Sequence, residues 1–304
     1  MTTGVLLMTY GAPRDDADLP RYLAAVRGGR IADEALVAEM RRRYALIGGS
    51  PLVRITRAQA SALEAQLGGG YVAAAGMRFS APSIAEGVGE LVARGARRII
   101  GVVLSPQWSP LLMGGYALEL ETAAGTSGVP LAVAGAWHRE PAFLESLEER
   151  VREALRDATD DVAIVLTAHS LPKRVYDAEP DYVAQLRETA ELVAARAGLG
   201  PERWRWAYQS AGHTQEAWLR PDLKELFPAL AAEGRREVLV VPVQFVADHL
   251  EVLYDLDVAA AQEARASGLR YRRIAMPNTR PSFIRALAAV ARRAETRLGA
   301  AVVR

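Results

Sequence analysis

Short apolar runs recur along the chain, each closed by polar or glycine-containing segments and each followed by a longer stretch with helical spacing of apolar positions. The runs predict strands at Val5–Tyr10, Tyr71–Met77, Arg98–Ser105 and Leu131–Trp137 in the first half, and at Val162–His169, Arg203–Gln209, Glu237–Phe245 and Tyr271–Ala275 in the second. Between them the pattern predicts helices at Ala35–Leu46, Arg57–Leu67, Ser83–Arg94, Pro141–Arg156, Asp181–Ala197, Asp222–Glu233, His249–Ala266 and Ser282–Arg297. Strands alternating with helices in this way make βαβ units, and βαβ units make parallel sheets.

The two halves share one grammar. GMRFSAPSIAEGVGELVARGARRIIGVVLSPQW has a counterpart in YQSAGHTQEAWLRPDLKELFPALAAEGRREVLVVPVQF. In each, a strand ends in a polar loop, a helix follows, then a basic linker with glycine, then a long buried strand. The expected fold is therefore α/β, with two similar Rossmann-like lobes of parallel sheet flanked by helices. The expected division is 1–158 and 159–280, at the polar DATDD run Asp157–Asp161, with a final helix over 281–304 packing back on the first lobe.

Open parallel sheets bind ligands beyond the carboxyl ends of their strands. Those ends bear Tyr10, the FSAPS loop after Met77, SPQW from Ser105 and Trp137-His138 in the first lobe. In the second they bear His169-Ser170, QSAGH from Gln209, and FVADHLE from Phe245. Aromatic, histidine and carboxylate groups gather at these positions, and a cleft between lobes lined by them suits a large flat ligand with a metal.

Composition narrows the classes. A chain of 304 residues suits two domains of about 150. Lys and Arg number 37 against 36 Asp and Glu, a net charge of +1, so nothing global favours nucleic acid or an anionic surface. Cysteine is absent, which excludes disulfides, thiolate zinc, cysteine nucleophiles and cysteine-ligated iron–sulfur clusters. MTTGVLLMTYGAP lacks the basic flank and cleavage site of a signal peptide, and no apolar stretch approaches the roughly 18–20 residues that span a bilayer. A soluble, cytoplasmic protein without stable membrane anchoring, and without nucleic acid as partner, is the expectation.

His169 closes VAIVLTAHSLP and reads either as a strand-end histidine bonded to a loop or as a base or metal ligand, since imidazole exchanges protons near neutral pH. His213 and His249 also fall at strand ends of the second lobe. In FVADHLEVLYDLD, Asp248 and Glu251 have the spacing of a capping box. Glu251 and Asp255, four apart, share a helix face, where like charges repel unless they handle a cation or protons. Arg41, Arg42 and Arg43 with Tyr44 form a basic cluster at a helix end, explained either by the helix dipole or by an anionic ligand. Arg27 and Arg30 bracket the glycines of VRGGR, a loop able to grip carboxylates. IGGSP at Ile47–Pro51 lacks the lysine of a nucleotide P-loop.

With these residues in view, the chain resembles the ferrochelatase family, specifically its soluble bacterial members acting on coproporphyrin III. LTAHSLP and PVQFVADHLEVLYDLD carry the resemblance most specifically, with RRRYALIGGSPL, AYQSAGHT and AWLRPDL in the expected order, and it runs from VLLMTYGAP to MPNTRPSFIRAL. It implies that Fe²⁺ is inserted into a porphyrin held in the cleft, with His169 and Glu251 as the insertion pair and metal ligands. It implies Tyr10 on the opposite face as an axial ligand to the product iron, and Arg27, Arg43, Tyr44, Ser50 and Tyr116 as contacts to the tetrapyrrole or its propionates. Asp255 is implied as a relay. The tyrosine of MTYGAP favours coproporphyrin over protoporphyrin. Iron is then a substrate, with no permanently bound cofactor and no iron–sulfur cluster, and the implied protein is a monomer whose product passes to a coprohaem decarboxylase. Two departures stand out: Ala259 interrupts the acidic line before Glu263, and Gly28 stands where a second arginine is usual. A cobalt or nickel chelatase, and a haem or porphyrin carrier without turnover, are the competing readings.

Overall fold

A computed structural model describes residues 1–159, 161–212 and 216–302, with side chains up to residue 298. The chain divides into two compact units, each a four-stranded parallel sheet flanked by helices. Unit 1 comprises 1–140, 247–250 and 278–304; unit 2 comprises 141–246 and 251–277.

In unit 1 the strands are β1 (Thr2–Thr9), β2 (Tyr71–Met77), β3 (Ala96–Val103) and β4 (Leu131–Val133), in sheet order β2-β1-β3-β4. Its helices are α1 (Leu19–Val26), α2 (Glu34–Leu46), α3 (Leu52–Leu67), α4 (Ile84–Ala93), α5 (Pro110–Ser127) and α11 (Pro281–Val302). Unit 2 has β5 (Ala163–His169), β6 (Trp204–Gln209), β7 (Glu237–Pro242) and β8 (Arg270–Arg273), in the matching order β6-β5-β7-β8. Helices α6 (Pro141–Arg156), α7 (Lys173–Ala178), α8 (Pro180–Arg196), α9 (Leu223–Ala232) and α10 (Ala261–Ala266) belong to it, with a π-helix over Glu251–Ala260. β1, β5 and β7 are buried almost throughout, as expected of parallel strands covered on both faces.

The internal repeat extends to single residues. Thr9 pairs with Met77 and Ala168 with Tyr208; Met8 pairs with Val103 and Thr167 with Pro242. Met77 N–H donates to the carbonyl of Pro82, and Tyr208 N–H to that of Pro221, both at 2.7 Å. A capping box then opens the next helix in each unit, Ser83 with Glu86 on α4 and Asp222 with Glu225 on α9. In this register Tyr10 and His169 are equivalent, each at the carboxyl end of the strand where the connections change direction across the sheet. Ligands of open α/β sheets bind at that switch point.

The expected strands are all present, and three expectations are corrected. The division falls at 140/141 instead of 158/159, because α6 fastens to its successors. Arg152 Nη2 donates to the Arg196 carbonyl (2.9 Å), Glu148 pairs with Arg196 (2.9 Å), and Arg272 Nη2 donates to the Ala154 carbonyl (2.7 Å). β4 stops at Val133, so Trp137 and His138 do not end a strand; both are buried, with Trp137 Nε1 donating to the Val103 carbonyl (3.2 Å). The predicted α-helix over His249–Ala266 is a π-helix for ten residues and α-helical only over Ala261–Ala266. The helices α1, α5 and α7 lay outside the expected set. On α5, buried Met113, Tyr116, Leu120 and Ala124 have helical spacing, but exposed Leu111 and Leu118 blur the contrast.

Candidate functional site

In unit 2 the site is built from the end of β5. Six buried residues, Ala163–Ala168, lead to His169, which is partly exposed. Its backbone N–H donates to Gln244 Oε1 (2.8 Å), and Gln244 Nε2 donates to the hydroxyl of buried Tyr182 (3.0 Å). The β5 terminus is thereby tied to the loop that follows β7, whose ladder closes at Pro242. The imidazole Nδ1 lies 2.5 Å from the carbonyl of Ser170. A carbonyl only accepts, so Nδ1 carries a proton, and in the neutral imidazole the lone pair is then on Nε2. That lone pair faces Glu251, whose Oε2 is 3.8 Å away. The carboxylate is 41 % exposed and the imidazole 23 %, leaving both reachable by a ligand.

Glu251 opens the π-helix. Buried Val252, Tyr254, Leu256 and Ala260 seat it, with Leu256 and Ala260 in the core beside β5 and β7 residues such as Val165 and Val240. Hydrogen bonds of the i→i+5 type give between four and five residues per turn, so Glu251 and Asp255 remain on one side as expected. Asp257 is occupied otherwise, by a two-point pair with Arg273 (2.7 Å at both oxygens). Glu263 lies beyond the π-helix, on α10.

Behind His169, Ser170 N–H donates to the Gln209 carbonyl (2.7 Å) and Thr167 Oγ1 to Gln209 Oε1 (2.6 Å). His213 lies outside the described residues. In unit 1, Asp248 exchanges two hydrogen bonds with Asn278, N–H to Oδ1 (2.9 Å) and Oδ2 from Nδ2 (2.7 Å). His249 Nδ1 lies 2.9 Å from the Ala247 carbonyl.

Also in unit 1, Tyr10 follows β1 and is 44 % exposed. The backbone carbonyls of Thr9 and Tyr10 accept from the N–H groups of Arg78 (2.9 Å) and Phe79 (3.1 Å). The Phe79 ring meets Tyr10 edge-on, with centroids 4.5 Å apart. The Arg78 guanidinium lies 4.9 Å from the Phe79 centroid and 5.2 Å from that of Tyr116 on α5. Tyr116 is buried, and burial pushes its phenol well above the usual range, with Tyr10 and Glu119 acting the same way and Arg78 opposing. The phenol stays neutral.

The remaining expected contacts belong to the α1–α3 segment. Tyr44 is buried among Leu19, Tyr22 and Leu23, and Phe79 packs against the same cluster. Phe79 therefore joins the Tyr10 group to the Tyr44 group. Arg43 Nε donates to Glu39 Oε1 (2.8 Å), and Arg42 makes two bonds to the same carboxylate (2.9 Å each). These bonds hold the Glu39 carboxyl at about 2. Arg27 is exposed at the end of α1, its carbonyl accepting from Arg30 Nε (3.1 Å). Ser50 lies between Gly49 and α3, its Oγ 3.4 Å from the Leu52 N–H.

A family model of ferrochelatase matches residues 2–295 of the chain. The chain belongs to the ferrochelatase family. Among relatives, the ferrochelatase of Deinococcus radiodurans is 40% identical over 300 residues, covering 95% of each chain. The coproporphyrin III ferrochelatases of Geobacillus sp. (strain WCH70) and Bacillus subtilis (strain 168) are 36% and 35% identical over 299 residues, each match covering 94% of this chain and 96% of the relative. The fold also resembles that of the sirohydrochlorin chelatase SirB from Bacillus subtilis subspecies spizizenii, solved in complex with cobalt. That likeness has a TM-score of 0.61 at 14% identity and covers 98% of both chains. CbiX, the terminal enzyme for biosynthesis of siroheme in denitrifying bacteria, gives a TM-score of 0.57 at 13% identity, covering 97% of this chain and 99% of that one. At such identities the likeness shows the fold alone, the two-unit parallel architecture of chelatases.

Within this ferrochelatase, sequence reasoning singled out His169, Glu251, Tyr10, Tyr116 and the FSAPS loop that begins at Phe79, but passed over Gln244, the Ser170 carbonyl and Arg78. Arg78 and Gln244 carried a readable signal, a polar residue among the first past a buried strand. No helix is long and apolar enough to cross a membrane among the described residues. Nor do three or more His, Cys, Asp or Glu converge there as a metal cage.

Proposed function

We propose that the chain inserts Fe²⁺ into coproporphyrin III to give coprohaem, with release of the two inner N–H protons of the macrocycle. The supporting observation is the His169 imidazole, its Nδ1–H held by the Ser170 carbonyl and its Nε2 lone pair 3.8 Å from Glu251. A neutral imidazole beside a carboxylate supplies what insertion needs: a base for a pyrrole proton, and an anionic oxygen that replaces water on the incoming cation. Two donors suit an ion in passage, whose other positions are filled by water and then by the four nitrogens of the porphyrin.

His169 Nε2 takes one proton while Glu251 escorts the metal or accepts the second. Asp255, one turn along the same side, passes protons or iron onward. Tyr10 serves the opposite face and ligates the product iron. Arg27, Arg43, Tyr44, Ser50 and Tyr116 contact the tetrapyrrole and its propionates. Binding energy from those contacts holds the macrocycle off planarity and exposes its nitrogen lone pairs. The product keeps all four propionates, and the proposed enzyme that next takes it is a coprohaem decarboxylase.

The relatives named coproporphyrin III ferrochelatase support this substrate. The Deinococcus relative is named ferrochelatase without a substrate, and protoporphyrin IX is the second reading. Anaerobic Fe²⁺ insertion with each porphyrin, followed by absorbance, separates them. Faster turnover of coproporphyrin is expected, and His169→Ala should lower insertion by about 10²-fold or more while porphyrin binding persists. Preference for protoporphyrin corrects the substrate. Binding of both without metallation replaces the enzyme with a carrier.

A further inference from the structure

Arg78 occupies the first position past β2, and its guanidinium is held on several sides. It lies over the rings of Phe79 and Tyr116, and its Nε donates to Glu119 Oε1 (3.2 Å). Beneath it, α5 passes at Gly115, where a Cβ would overlap Nη2, so the group rests directly on helix backbone. The side chain is 26 % exposed. Among the described residues its two terminal nitrogens make no hydrogen bond, so four of its five N–H donors are unspent. By contrast, Arg43 shares Glu39 with Arg42.

A guanidinium fixed by its faces and its Nε, with both terminal nitrogens open, has the geometry that binds a carboxylate through two parallel bonds. Its neighbours are Phe79, edge-on to Tyr10, and Tyr116. Glu119 is the sole carboxylate bonded to it among the described residues, and it engages only Nε.

We propose that Arg78 binds a propionate of the porphyrin and sets the preference for a macrocycle with four such arms over one with two. The inference rests on the insertion reading above. Coproporphyrin III carries four propionates, whereas protoporphyrin IX has vinyl groups in place of two. A vinyl against this guanidinium leaves a partly desolvated cation without its partner. Sites built to bond a polar substituent discriminate strongly in that situation.

Steady-state kinetics of Arg78→Gln, Arg78→Lys and Glu119→Gln with each porphyrin, together with Kd values from porphyrin fluorescence quenching, test this. Loss of a charge-assisted pair should raise KM and Kd for coproporphyrin III about 10-fold or more. The kcat should stay within about twofold, because the contact lies away from the reacting nitrogens. Protoporphyrin IX should be affected less than about twofold, since it lacks the partner carboxylate. Arg78→Lys should recover part of the loss. Glu119→Gln, which removes the competing charge, should tighten coproporphyrin binding, a gain that no folding defect produces.

Equal losses for both porphyrins in Arg78→Gln, or a fall in kcat at constant KM, would overturn the proposal and leave Arg78 as packing. So would Glu119→Gln without tighter binding, the deciding variant if Arg78→Gln does not fold. If the wild-type protein binds coproporphyrin but never metallates it, the insertion reading fails, and the Kd contrast still decides the role of Arg78.

Discussion

At the scale of single residues, the site depends on which atom holds a proton. His169 has one nitrogen turned to a carbonyl and the other to a carboxylate, and the carbonyl decides the tautomer. Gln244 supports this from behind through its bonds to His169 N–H and Tyr182. Gln244→Leu leaves the N–H and the hydroxyl without these partners and should destabilise the protein by about 1–3 kcal/mol, read from denaturant unfolding. It should also lower kcat with little change in porphyrin KM. Gln244→Glu keeps the acceptor for the His169 N–H, and can accept from Tyr182 once that hydroxyl turns to donate, so it should restore kcat. A Gln244→Leu enzyme with wild-type turnover would show that His169 is held by other contacts.

At the scale of elements, the loop bearing Tyr10 is latched by α1. Asp18 accepts from Arg21 at Nε (2.5 Å) and Nη2 (3.0 Å) and from Arg14 N–H (3.0 Å), while Arg21 Nη1 donates to the Phe79 carbonyl (3.2 Å). The side-chain bond from Arg21, set against the opposing effect of burial and helped by Arg14 N–H, brings the Asp18 carboxyl from 3.8 down to about 2. A depressed carboxyl stabilises the fold fully above its unfolded value, and the stabilisation is lost as pH falls through its folded value. Asp18 should thus contribute about 2 kcal/mol at neutral pH, fading between about pH 4 and 2. Asp18→Asn should be less stable at pH 7 and approach the wild type near pH 2 in urea unfolding. An unchanged difference across that window would refute the latch. The π-helix is the other element that matters, because it starts at Glu251 and keeps Asp255 on the same side.

For the whole molecule, the last helix closes the first unit on itself. Glu295 on α11 accepts from Thr3 Oγ1 (2.6 Å) and Tyr71 OH (2.5 Å) and pairs with Arg98 (2.9 Å), fastening the end of the chain to β1, β2 and β3. Burial pushes its carboxyl up, but the Thr3 and Tyr71 bonds and the charges of Arg98 and Arg292 outweigh burial and bring it below its ordinary 4.5. Its stabilisation is therefore present above pH 4.5 and lost below it. Glu295→Ala should lower global stability by about 2–3 kcal/mol at pH 7, and less as pH falls, by calorimetry or denaturant titration. If unfolding is unaffected, α11 is held by its apolar face alone.

The sequence by itself determined the class and the repeat. Apolar runs buried on both faces admit little but parallel strands between helices, and two copies of one strand–loop–helix–strand pattern imply two similar sheets. It also brought Tyr10 and His169 to strand ends, because a polar residue closing an apolar run has nowhere else to go. Tertiary structure alone decided what depends on distant partners. The division at 140 follows from α6 bonding to Arg196 and Arg272, residues far along the chain. The π-helical winding at Glu251 and the burial of Tyr44 and His138 follow from packing and not from local propensity. The same holds for the contacts through which two supports act, Gln244 behind His169 and Gly115 beneath Arg78. In each case a residue acts through a neighbour tens of positions away, and one-dimensional spacing carries no record of that neighbour.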